Sequence, residues 1–184
     1  MKTQSYVKII QKGFISSELE LEKALMYDTM LRLMIKENPE LTADRNQLRS
    51  IIKEYEKANW SSDTIISEKQ IAESDFAEIT VEREQLFLNK RKETIKKKLT
   101  ELGMNQLDLG IILGHSKSYI SELMNGISPF TLKDLIVIHN LFEIKLEHLI
   151  STTIPQKEGL RIKFLLSKLN RPKVKLEKIK LELV

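Results

Sequence analysis

The chain has 184 residues, 41% of them hydrophobic, which allows one or two small packed domains. It holds no cysteine, which excludes disulfides, thiolate zinc sites and cysteine nucleophiles. No apolar run approaches the roughly 20 residues of a membrane span, and the opening MKTQSYVKIIQKGF lacks the long apolar segment of a secretory signal, so a cytoplasmic protein without membrane partners is expected.

The formal charge of +4 is unevenly placed. Residues 1–78 carry 11 basic and 14 acidic side chains, residues 79–150 carry 10 and 9, and residues 151–184 carry 9 and 3. The same three stretches are the expected domains: an N-terminal helical region, a central helical domain and a basic C-terminal extension.

In the first stretch, Ser17 with Glu20 has the spacing of a capping box. Leu21, Ala24, Leu25, Leu31, Met34 and Ile35 then form a helical stripe, which Asn38-Pro39 ends, because a residue before proline avoids the helical region. A second helix is predicted from near Thr42, with Leu48, Ile51, Ile52 and Tyr55 inward. The pair makes a helical hairpin. Asn59 to Asp63 form a polar break, and residues 65–78 are mixed and acidic, leading into the next helix.

The central stretch is the most informative. Leu88, Ile95, Leu99 and Leu102 line one helix face, and Gly103 ends it. Asn105 caps a second helix, in which Gly110 leaves room for a close crossing. Gly114 supplies the left-handed residue of a turn, and Ser116 the N-cap of a third helix with Ile120 and Leu123 inward. Asn125-Gly126 stops that helix. Together these make a helix-turn-helix. Thr131 with Asp134 opens a fourth helix through Leu132, Leu135, Ile136 and Ile138, and Leu146, Leu149 and Ile150 suggest a fifth.

This geometry places the helix over Lys117 to Met124 with its N-terminal end in a major groove of double-stranded DNA. Lys117, Ser118, Tyr119 and Glu122 then project toward base edges or the adjacent backbone. A lysine donates to guanine O6 and N7, and a carboxylate accepts from cytosine N4. Gln106 reaches a phosphate, and Ser116, Ser121 and the amides after Asn125 donate to others. The plainer reading makes Ser116 an N-cap first, Glu122 a surface charge, and His115 a packing residue. Glu143 stands where a helix-ending glycine is common. The loop ISPF after Gly126 has no basic residue for phosphates. Lys90, Arg91, Lys92 and Lys96 to Lys98 compensate only if their helix turns them to the DNA.

The order and spacing over residues 85–150 resemble the lambda-repressor-like, or XRE, DNA-binding domain. The stretch from Glu18 to Trp60, ending in KEYEKANW, and the later SDFAEITVE resemble HigA-type antitoxins of bacterial toxin–antitoxin pairs. That second resemblance implies an antitoxin that neutralises a RelE-like, mRNA-cleaving toxin and represses its own operon as a homodimer. Without it, the residues show a helical hairpin with no named partner, and a stand-alone regulator is the alternative.

No enzyme, cofactor or metal site is expected. His115, His139 and His148 are spread over different helices, with no HExxH segment and no phosphate-cradling glycine loop. In the tail, Leu160, Phe164, Leu165 and Leu169 have helical spacing, and Arg171-Pro172 breaks it. The final KVKLEKIKLELV alternates lysine and apolar residues, which fits a strand with a bulge; its Leu176, Ile179 and Leu183 also permit an amphipathic helix. The expected fold is all-α: a helical hairpin, then a five-helix domain, then this tail.

Overall fold

In a computed structural model, the residues described are 5–61, 65–154, 156–169 and 174. Their regular structure is helical, in agreement with the all-α expectation. The elements are α1 (Ser5–Lys12), α2 (Glu18–Met34), α3 (Leu41–Asn59), α4 (Glu68–Glu101), α5 (Gln106–Leu113), α6 (Lys117–Met124), α7 (Leu132–Phe142), a 3-10 turn (Leu146–His148) and α8 (Gln156–Leu169). The chain divides into two units, Met1–Leu149 and Ile150–Val184.

The first unit starts with a helix the sequence pattern did not announce. α1 is eight residues long and buries Tyr6 and Ile9, packing on α2 and α3. α2 and α3 form the expected hairpin. Ser17 Oγ accepts from Glu20 N at 3.2 Å, but the reciprocal half of the capping box is missing. The Glu20 carboxylate turns instead to Ser16 N at 2.8 Å and Lys12 Nζ at 2.7 Å, and so ties α1 to α2. α2 buries Leu21, Ala24, Met26, Tyr27, Met30, Leu31 and Met34, too many for one stripe, because it packs on α3 at one side and α4 at the other. The buried Glu18 carboxylate accepts from Tyr55 Oη at 2.8 Å and Trp60 Nε1 at 3.2 Å, which fixes the end of α3 to the start of α2. Burial, then the bond to Glu18, pushes the Tyr55 hydroxyl up to about 12.

α4 is a single helix of 34 residues, capped by Ser67 and running unbroken through position 78. Its Val81 joins the hydrophobic cluster of α1–α3, with Leu88 packed against that cluster. Its Ile95 and Leu99 are buried, as are Leu109, Ile120, Leu123, Ile138 and Phe142 of the following helices and Ile144 and Leu149 beyond them. One helix therefore serves two cores. The expected fifth helix of the central domain is only the three-residue 3-10 turn. α7 ends at Glu143, which holds the left-handed conformation (φ 52°, ψ 33°).

In the second unit, α8 carries Leu160, Phe164, Leu165 and Leu169 at the expected helical spacing, all exposed. An Arg161–Glu158 ion pair sits one turn apart on it. The expected Arg171-Pro172 break and the alternating segment 173–184 lie outside the described residues, Val174 excepted, as do Ser62 and Asp63 of the polar break.

Candidate nucleic-acid interface

Local caps set the geometry of the α5–α6 pair. Asn105 Oδ1 accepts from Leu107 N (2.7 Å) and Asp108 N (3.3 Å), and Asp108 Oδ2 accepts from Asn105 N at 2.8 Å. Two of the amides that a helix start leaves unpaired are thereby satisfied, with a carboxylate in the first turn. α5 ends at Gly114, whose φ of 73° favours a residue without a side chain. Ser116 Oγ accepts from Tyr119 N at 3.3 Å and starts α6. α5 and α6 cross closely at Gly110, where an added Cβ would lie 3.2 Å from both His115 O and Ile120 Cγ2.

His115 holds the turn in place. Its Nε2 lies 3.1 Å from Asp134 Oδ1, and its ring meets the Tyr119 ring edge-on at 5.0 Å between centroids. Asp134 is also half of a complete capping box with Thr131 at the start of α7. One buried carboxylate thus fixes both the turn and the next helix.

Residues 95–149 match the family model described as Helix-turn-helix. This stretch is a helix-turn-helix domain of the lambda-repressor-like kind. No curated protein and no solved structure matches the chain. The helix-turn-helix domain is that of a sequence-specific, DNA-binding transcription regulator. No helix among the described residues is long and apolar enough to cross a membrane.

The helix-turn-helix domain presents the predicted contact residues unequally. Lys117 is exposed at the N-terminal end of α6, with Ser118 and Tyr119 half-buried beside it. Ser116 is exposed and serves as the N-cap, and Gln106 is half-buried at the start of α5. Ser121 and Glu122 are different: they are only 6% and 1% exposed. Glu122 Oε2 accepts from Ser128 Oγ at 3.0 Å, so in this conformation the carboxylate is held by the loop and not presented to a base edge. Ser121 is covered in the same conformation. The expected phosphate donors after Asn125 are also engaged. Gly126 N donates to Leu123 O, and Ile127 N and Ser128 N both donate to Glu122 O. The Asn125 side chain accepts from Lys92 Nζ at 2.6 Å and donates to Ser121 O at 2.8 Å.

Two of the basic residues of α4, Arg91 and Lys92, are engaged within the protein. Arg91 is buried, with its guanidinium 5.2 Å from the Phe130 ring and 5.8 Å from the Phe87 ring, and burial lowers its pKa. The ammonium of Lys92 is lowered by burial and by Lys96, against the opposite pull of Glu93 and Glu37. Sequence reasoning missed Lys92 as the residue that ties α4 to the end of α6. The apolar loop ISPF carried the usable signal: a loop built from Ile127 and Phe130 packs rather than binds phosphate.

Proposed function

We propose that the chain is a repressor whose homodimer seats two copies of α6 in an inverted repeat, acting at its own operon. The carrying observation is the capped turn that leaves Lys117 exposed at the leading end of α6, with Ser118 and Tyr119 beside it. Lys117 donates to a guanine edge, Ser118 and Tyr119 to neighbouring bases or phosphates, and Gln106 and Ser116 position the domain on the backbone. A single domain of this size buries too little for tight specific binding, which favours two copies. Selection of duplexes from a random pool by the full chain tests this. It is expected to yield an inverted repeat with half-site centres about one helical turn, or a multiple of it, apart. Enrichment of single, unrepeated sites contradicts the dimer.

We further propose an antitoxin role, in which the N-terminal helices bind a basic RelE-like toxin. Its support is the resemblance of Glu18 to Trp60, now an α2–α3 hairpin, and the acidic excess of residues 1–78. The competing reading, a stand-alone regulator, is favoured by α2 itself, which spends both apolar sides on α3 and α4. Co-expression of the full chain with the product of the neighbouring gene separates the two. Restored growth and a co-purifying complex support the antitoxin; neither result leaves the regulator alone. The chain acts by binding on either reading, without catalysis.

A further inference from the structure

α6 has two faces. Ile120, Leu123 and Met124 point into the helix-turn-helix core. At 3.6 residues per turn, Ser118, Glu122 and Asn125 fall on the opposite face, the one a recognition helix turns toward a groove. A side chain on the outward face of its domain becomes as buried as Glu122 only when something else lies over it.

Beside Ser128, whose hydroxyl bonds Glu122, two observations place the N-terminal layer against the end of α6. Ile127, just past the end of α6, belongs to the hydrophobic cluster built by Tyr6, Ile9, Leu31 and Leu48. A Cβ on the intervening Gly126 would fall 2.8 Å from Leu88 Cδ1, and Leu88 packs on that same cluster. Tyr6 of α1 is fully buried and donates to Asp44 Oδ2 at 3.0 Å. Burial first, then Asp44, then the Glu122 charge raise its hydroxyl above the ordinary range. The major groove is about 12 Å wide and a helix with its side chains about 10–12 Å across. A recognition helix that carries a second layer on its outward face does not fit.

We propose that α1, through the hydrophobic cluster it shares with Ile127, covers the C-terminal half of α6 and competes with DNA for it, so that the chain must open this cover to bind. The proposal rests on the DNA-binding reading above. α1 is the shortest helix of that layer. It is eight residues long, and its fully described buried side chains are Tyr6 and Ile9.

The test uses the full chain. Because the sequence has no cysteine, Glu122→Cys introduces a single thiol at the covered position. Its labelling by a soluble reagent should be slow, and at least tenfold faster when Ile9→Ala is added. With Glu122 native, Ile9→Ala should bind a duplex selected from a random pool at least fivefold more tightly than the parent. Tyr6→Phe, which removes one oxygen, should shift affinity the same way but less. Circular dichroism checks that helix content is kept, and Tyr6→Phe decides if Ile9→Ala does not fold. Unchanged or weaker affinity in the folded variants overturns the cover. A parent that binds, and loses binding with Lys117→Ala, but ignores both α1 variants overturns the cover alone. If parent and variants all enrich no sequence, the DNA reading falls and takes the cover with it.

Discussion

Glu143 shows how much one backbone conformation decides. Among the described residues it is the non-glycine with positive φ, at 52°. A side chain in that region costs about 1–2 kcal/mol. Glycine removes that cost but loses some of it to the freedom of the unfolded chain. Glu143→Gly should therefore raise stability by about 1 kcal/mol in a urea titration; a loss of stability would mean that the Glu143 side chain makes a compensating contact. Glu22 on α2 makes an electrostatic case. Burial, then Glu78 and Glu18, raise its carboxyl above the ordinary range. A raised folded-state pKa means that the fold favours the protonated form, so this group's stabilising effect exists below the unfolded value. It is lost as pH rises through the folded one. At neutral pH the charge therefore weakens the fold. Glu22→Gln should stabilise near pH 7, and the gain should shrink to nothing once pH drops below the ordinary carboxylate range. A gain that persists in acid would point to packing rather than charge.

At the scale of elements, the helix starts were legible because caps are local. Asn105, Ser116 and Thr131 each bond to amides two or three residues ahead, so their spacing alone foretells the contact. Gly110 and Gly114 were legible for the same reason. Ser116→Ala should cost about 1 kcal/mol of stability and weaken DNA binding beyond that loss, because the start of α6 frays; equal DNA affinity would make Ser116 a cap without consequence for recognition. What the pattern hid is what depends on distant partners. α1 is too short for its period to stand out, and α4 masks its length because its apolar side shifts from one core to the other. Glu20 forms only half of its box, since Lys12 of α1 and Ser16 of the following turn displace the Ser17 amide. The fate of Glu122 could not be read from α6 at all. Its own helix places it outward, and it is covered where the loop after α6 turns Ser128 back onto it and carries Ile127 into the N-terminal cluster.

For the whole molecule, the central fact is that α4 and Ile127 join the two cores of residues 1–149. Such sharing makes them unfold together. The single tryptophan, Trp60, sits in the N-terminal layer, whereas Leu123 is buried in the helix-turn-helix core. Leu123→Ala should cost about 2–5 kcal/mol and move the unfolding transition seen by Trp60 fluorescence, although the two residues lie in different cores. A Trp60 transition left in place would make the layers independent. The central claim remains that this chain reads DNA with the leading end of α6. Its most direct test is the affinity of full-length Lys117→Ala and Ser118→Ala for a duplex that the parent chain selects from a random pool. Lys117→Ala is expected to lose about 1–3 kcal/mol and to relax base preference at one position of each half-site; if both variants keep the parent's affinity and its sequence preference, α6 is not the element that reads the groove.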